Sequence, residues 1–243
     1  MVVRELLHRE VRFDENPRFL DWKPMYRVSR AALSRVTGVE PPELDRFFAE
    51  LEPLHESLLM ETRGAFAAGA LMQAPLLYVL VRSLRPSRVV ETGVSSGYSA
   101  RFILEALERN GVGRLTSVGL DTLAIRSPEA ASSARSTGRD VGWLVPARFS
   151  DRWHLSLGPT ETALPQVLSG EKDPVDLFVH DSLHQYPTMM FEYRSAWRSL
   201  RAGGALASHD IHAGPAWPEF LEEKGLTRDE ELDHDLGVVR VPT

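Results

Sequence analysis

The chain has 243 residues, 43% of them apolar and 26% charged, with a net charge of −6; this length and balance predict one globular unit with a full core and argue against disorder. No basic stripe marks a nucleic-acid surface, and no run approaches the ~18 uncharged apolar residues that a membrane helix requires. Without a single cysteine, disulfides, thiolate metal sites and cysteine nucleophiles are all excluded. Arg4, Glu5, Arg9 and Glu10 break any secretory apolar region, so a cytoplasmic location is expected.

The first 85 residues read as helical. The segment before residue 40 is rich in arginine and aromatics (Phe13, Phe19, Trp22, Tyr26) and reads as an arm or lid. Pro42 suits a first helical position, with Leu44, Phe47, Phe48, Leu51, Leu54 and Leu58 following at helical spacing. Pro75 opens a second helix through Leu84, which Pro86 stops. This helical segment, 1–85, is expected to cover the acceptor side of a site or to form an oligomer contact. From residue 88 short apolar runs alternate with amphipathic stretches. Strands are predicted at Arg88–Thr92, Leu115–Leu120, His154–Leu157, Val175–Val179, Ala205–Ala207 and Leu236–Val241, with helices at Tyr98–Arg109 and from Pro187 to Leu200. The acidic run Asp229–Asp235 reads as a solvated loop. Strands alternating with helices predict an α/β fold over 86–243, a doubly wound, mostly parallel, Rossmann-like sheet. Ligands of such sheets bind beyond the carboxyl ends of the strands.

The first strand ends in Glu91-Thr92-Gly93-Val94-Ser95-Ser96-Gly97-Tyr98-Ser99. Gly93 and Gly97 permit a tight turn, and the helix N-terminus that follows favours a carboxylate or phosphate. The spacing G-x-x-x-G departs from the G-x-G-x-x-G of dinucleotide folds and lacks the G-K-[ST] of a P-loop. At the fourth and fifth strand ends stand His180-Asp181-Ser182-Leu183-His184 and Ser208-His209-Asp210-Ile211-His212. Adjacent strands would bring Asp181 and Asp210 together. Two carboxylates with nearby imidazoles make a candidate divalent-cation site, formed by Asp181, His209 and Asp210; imidazole suits Mn, Fe, Ni or Zn better than Mg.

The loop E-T-G-V-S-S-G-Y-S resembles motif I of class I S-adenosylmethionine (SAM) methyltransferases in its catechol O-methyltransferase-like variant. The ordered pieces V-G-W-L-V-P, D-L-F-V-H-D-S-L-H-Q-Y and L-R-A-G-G-A-L-A-S-H-D-I are similar to methyltransferase family 24, and with the stretch before motif I they span roughly residues 70 to 243. The resemblance implies a cofactor site made by Glu91, Thr92, Gly93, Ser95, Ser96, Gly97 and Ser99, with His180 close by. Asp121, at the end of the second strand, matches the acid that takes both ribose hydroxyls; capping the next segment is the competing reading. After the third strand, where relatives carry G-D-[SA], this chain has Gly158-Pro159-Thr160; that acid is missing, and Thr160 is the candidate to replace it through its hydroxyl or backbone. Asp181 and His184 match a D-x-x-H pattern found in some sugar O-methyltransferases, where the histidine is the general base on the acceptor hydroxyl. The implied activity is methyl transfer to a small-molecule acceptor, at oxygen, with SAM as cofactor and Mg²⁺ or Mn²⁺ as a possible aid. Trp217 and Tyr186 are candidates to line the acceptor pocket, whereas Met190, Phe191 and Trp197 have core spacing. Two other readings stay open: a nicotinamide-dependent oxidoreductase, disfavoured by the glycine spacing, and a non-catalytic binding module that keeps the fold. The partner expected is a small molecule, with no nucleic acid and no membrane; a homo-oligomer stays open, since the sequence does not give the oligomeric state.

Overall fold

The computed structural model describes residues 23–61, 70–120, 140–170, 172–226, 230–232 and 235–243. Three helices lead: α1 (Lys23–Thr37), α2 (Pro41–Glu61) and α3 (Ala70–Leu84). Then come β1 (Arg88–Thr92), α4 (Tyr98–Asn110), β2 (Arg114–Gly119), β3 (Trp153–Leu157), α5 (Thr160–Ser169) and β4 (Val175–His180). The chain ends with α6 (Tyr186–Ser199), β5 (Leu200–Ser208), α7 (Ala216–Glu223), β6 (Glu230–Glu231) and β7 (Gly237–Arg240).

The strands form one seven-stranded sheet in the order β3-β2-β1-β4-β5-β7-β6. The first five run parallel, and β7 returns antiparallel against β5 and β6. Strand order reverses direction between β1 and β4, so a crevice opens above their carboxyl ends.

Alternation along each strand sorts its side chains between two cores. Val89, Leu115, Leu177, Val179 and Ala205 face helices α1 to α4, where Leu33, Leu51, Leu76, Phe102 and Ile103 pack. Val90, Val118, Phe178 and Leu206 face α5 to α7, against Met190, Tyr193, Trp217 and Phe220. Each fully buried Leu, Val or Phe contributes about 1.5–3 kcal/mol of hydrophobic stabilisation.

The leading helices and the sheet share one apolar core. Ala32, Leu33 and Val36 anchor α1 in it, so the second half of that helix is packed scaffold and not an arm. Arg35 pairs with Glu230 and Arg240 donates to the Val36 carbonyl, tying α1 to the antiparallel edge. Phe13, Phe19 and Trp22 lie outside the described residues. Helix α3 begins five residues before Pro75, which sits inside it. Helix α5, also carrying an internal proline, Pro165, and helix α7 were not expected from the sequence. Strand β5 starts at Leu200 and carries a register irregularity against β4 between Val175 and Leu177. Among the described residues no helix is long and apolar enough to cross a membrane.

Candidate active site at the carboxyl ends of the strands

Register sets the neighbours. Thr92 pairs with His180, and His180 with Ser208, so the residues that follow β1, β4 and β5 emerge side by side. Backbone bonds extend the ladder past the strands: Asp181 N–H donates to the Thr92 carbonyl at 3.0 Å, and His209 N–H to the His180 carbonyl at 2.9 Å.

The loop between β1 and α4 is shaped by its glycines. Gly93 has φ +90°, and a Cβ there would lie 1.8 Å from the Asp181 carbonyl oxygen. Only glycine fits, because the β4 backbone occupies the space of a side chain. Gly97 caps α4 in the left-handed region at φ 85°, and Ser95 also has positive φ, 45°. Gly142 and Leu144 donate backbone N–H groups to the carbonyls of Ser95 and Ser96, both at 2.9 Å. The V-G-W-L-V-P segment therefore braces this loop.

Several side chains expected at a cofactor turn inward instead. Glu91 is 1% exposed and shares the α4 face of β1 with Val89. Ser117 Oγ and Ser99 Oγ donate to its carboxylate at 2.6 and 3.1 Å, and Trp153 Nε1 donates to Ser117. Burial pushes the Glu91 carboxyl up to about 7, against the pull of the two serine hydroxyls and aided by the charge of Asp181. The Ser99 hydroxyl is thus committed to Glu91. Thr92 and His180 lie on the opposite face and both bond Glu192 of α6. His180 is fully buried, its ring packed edge to face 5.5 Å from that of His184. Ser96 is buried and Ser95 exposed. Thr160 opens α5 beyond the end of β3, its buried Oγ1 lacking a hydrogen-bond partner among the described residues. Asp121 lies outside the described residues.

The second half of the site is the imidazole–carboxylate cluster. His209 Nδ1 meets Asp181 Oδ1 at 2.6 Å, and His209 Nε2 is 3.4 Å from Asp210 Oδ1. His184 Nδ1 is 3.1 Å from Asp210 Oδ2, while its buried Nε2, 3.7 Å from Asp181 Oδ1, has no hydrogen-bond partner among the described residues. The rings of His184 and His209 stand edge to face, 5.0 Å apart. Burial pushes the His209 imidazole down, but the hydrogen bond to Asp181 and the charges of Asp181, Asp210 and Asp235 outweigh it and hold its pKa above the usual value. Burial likewise pushes Asp181 up, and the imidazoles of His184 and His209 win, keeping its carboxyl below the usual range. Asp210 sits at φ 52°, a left-handed conformation uncommon for a residue with a side chain. Such strain persists where surrounding structure holds it, here at the mouth of the site.

Asp181, His184 and His209 each offer one donor atom, all within 4.8 Å of one another. An O,N,N set of this size fits a divalent cation. His184 joins the expected Asp181 and His209 in this group, and Asp210 contacts both imidazoles. His212 turns away toward Glu231. Trp217 is core, 5.5 Å from Tyr193, and does not line an acceptor pocket. Tyr186 is exposed and donates to Glu219 at 2.7 Å, with exposed Leu183 nearby in sequence. Glu192, together with Ser182, escaped sequence reasoning. Its only signal was a carboxylate within the buried stripe Met189, Tyr193, Ala196 of α6.

The family model of a methyltransferase domain, family 24, matches residues 90–211, which run from β1 through both halves of this site. The chain belongs to that family. It is a class I, SAM-dependent methyltransferase, and its parallel sheet with an antiparallel seventh strand has the Rossmann-like order of the class. Solved structures repeat the methyltransferase's fold at low identity. An O-methyltransferase from Bacillus cereus, in complex with S-adenosylhomocysteine (SAH), is 16% identical with a TM-score of 0.53, over 91% of this chain and 100% of that one. TomG, an O-methyltransferase from Streptomyces achromogenes involved in tomaymycin synthesis and solved with SAM, is 17% identical with a TM-score of 0.50, over 93% and 100%. The SAH-bound methyltransferase PaMTH1 of Podospora anserina is 15% identical with a TM-score of 0.50, over 81% and 88%. No curated protein matches the chain in sequence.

Proposed function

We propose that this methyltransferase methylates a hydroxyl oxygen of a small molecule, with SAM held above β1 to β3 and the acceptor above β4 and β5. The observation that carries the reading is the orientation of His184. Its Nδ1 lies 3.1 Å from Asp210, while Nε2, without a hydrogen-bond partner among the described residues, lies 3.7 Å from Asp181. With Nδ1–H donating to Asp210, Nε2 keeps its lone pair and can accept a proton. Asp210 thereby fixes ring and tautomer together. The solved O-methyltransferases with the same fold, among them those bound to SAH and SAM, support the choice of oxygen and of cofactor.

The residues present fit the cofactor at two points. The Gly93–Gly97 turn leaves backbone and the exposed Ser95 at the N-terminus of α4, where a carboxylate is favoured. The buried, unpartnered Thr160 hydroxyl supplies a polar contact at the end of β3. Bound SAM supplies the electrophilic methyl on sulfonium. That methyl would pass to the acceptor oxygen, and His184 Nε2 would take the hydroxyl proton. The protein's share is alignment and proton removal. Asp181 and His209 would hold a divalent cation, which lowers the pKa of a bound hydroxyl. His184 lies close enough to be a third ligand, and base and ligand roles exclude each other at Nε2.

Transfer of radiolabelled methyl from SAM to a panel of phenols and sugars, with Mn²⁺ or with chelator, tests this. The reading expects a labelled hydroxyl product, and His184→Ala losing on the order of 10²–10⁴ in turnover while SAH affinity stays within about threefold. Label appearing on amines alone, or full turnover in His184→Ala, would overturn it.

A further inference from the structure

Glu192 has no role in the mechanism above, yet it is one of the most constrained carboxylates in the described structure. It projects from α6 and is fully buried. Its Oε2 accepts from Thr92 Oγ1 and lies 2.6 Å from His180 Nδ1, while Oε1 accepts from Ser182 Oγ at 2.7 Å. Burial pushes this carboxyl up, but His180, Thr92 and Ser182 outweigh it and hold it below the usual range.

The three partners are not scattered. His180 and Ser182 flank Asp181, and Thr92 precedes Gly93. Asp181 N–H bonds the Thr92 carbonyl at 3.0 Å, and Gly93 lies so close over the Asp181 carbonyl that a Cβ would overlap it. A displacement of Asp181 is therefore a displacement of the loop between β1 and α4. We propose that Glu192 is a positioning residue: by gathering Thr92, His180 and Ser182 it fixes the Asp181 carboxylate and the glycine loop as one rigid unit. Resting on the proposal that this loop holds SAM, the inference couples cofactor affinity to a side chain that touches neither cofactor nor acceptor. A buried network of this kind acts through geometry, because each partner loses its only compensation when the hub is removed.

The test uses the full chain and SAH calorimetry, with thermal melts run in parallel. Glu192→Leu keeps the volume and removes all three hydrogen bonds. Glu192→Gln keeps them, its carbonyl accepting from Thr92 and His180 and its amide donating to Ser182. Below the melting transition, Glu192→Leu is expected to weaken SAH by about tenfold or more, with Glu192→Gln within about threefold of wild type. Val239→Ala, in the same apolar cluster but on β7, controls for lost stability and is expected to lower the melting temperature without changing SAH affinity. A folded Glu192→Leu that binds SAH like the wild type overturns the inference; so does a Glu192→Gln as weak as the leucine variant, since charge and not placement would then matter. If Glu192→Leu does not fold, Ser182→Ala takes its place: weaker SAH binding supports the inference and unchanged binding overturns it. A wild type that fails to bind SAH removes the reading beneath the inference and the inference with it.

Discussion

Replacing Glu91 by glutamine should change the pH dependence of stability in a way that can be computed from the site. The carboxyl is shut away between β1, α4 and β2, with Ser99 and Ser117 donating to it, and burial raises it to about 7 from 4.5. Below 4.5 it is protonated folded and unfolded alike, so it contributes no pH dependence. Between 4.5 and 7 the folded protein keeps a proton that the unfolded chain has released, and stability falls as pH rises. Above 7 the full cost is present. At about 1.4 kcal/mol per pH unit, the interval between 4.5 and 7 amounts to roughly 3 kcal/mol. Glutamine can occupy the same space and accept from a serine without ever ionising. Urea unfolding of both proteins from pH 4.5 to 8.5 should therefore show Glu91→Gln gaining on the wild type by up to about 3 kcal/mol, nearly all of it before pH 7.5. Contributions from Asp181, Glu192 and His209 are common to both proteins and largely cancel in the difference. A stability difference that stays flat across this range would refute the reasoning, for it would mean that the Glu91 carboxylate is ionised in the fold at little cost.

The other expectations concern the loop and the cluster. Gly93→Ala meets both a left-handed φ and the Asp181 carbonyl at 1.8 Å, so a loss of at least about 3 kcal/mol, or roughly 6–12 °C in melting temperature, is expected; a melt within 2 °C of wild type, a margin about the size of ~0.5 kcal/mol, would contradict the packing described here. Because a cation must displace the proton that Asp181 and Asp210 favour on His209, Mn²⁺ should bind more tightly at pH 8 than at pH 6, and Asp181→Asn should abolish binding. Affinity independent of pH, followed by calorimetry in two buffers, would show that His209 is not a ligand.

How far the sequence reached depended on how local each signal was. Strand β1 and helix α4 were legible to within a residue because a buried apolar run is followed by glycine, helix and glycine: Gly97 and Gly111 cap α4 at both ends. The Asp181, His184, His209 and Asp210 cluster was legible because parallel register brings consecutive strand ends together. Helix α3 started earlier than expected because Pro75 is tolerated within it and is not its first residue. Helix α5 was hidden by Pro165 and by having only Ala163 and Leu164 as buried residues. Strand β6, inside the acidic run, is two residues long and has no periodicity to read. The direction of side chains at the strand ends was less well judged. Thr92 and His180 follow Val90 and Phe178 by two residues, and so face α6, whereas Glu91 follows Val89 toward α4. Counting that alternation shows that the side chains of Thr92 and His180 reach Glu192 and that of Glu91 reaches Ser99 and Ser117. Glu192 could not be found this way, since it lies on α6 away from the strand ends and its bond to Thr92 spans 100 residues of sequence.

The central claim is that the turn between β1 and α4, braced against Asp181, forms the seat of SAM. Calorimetric titration of SAH into the metal-stripped protein, repeated with Mn²⁺, tests it most directly. Saturable binding at one site per chain is expected, with any Mn²⁺ bound at the Asp181 and His209 cluster. Absence of SAH binding at millimolar concentration, the upper end of the ~1 μM to 1 mM range of ordinary substrate constants, would contradict it.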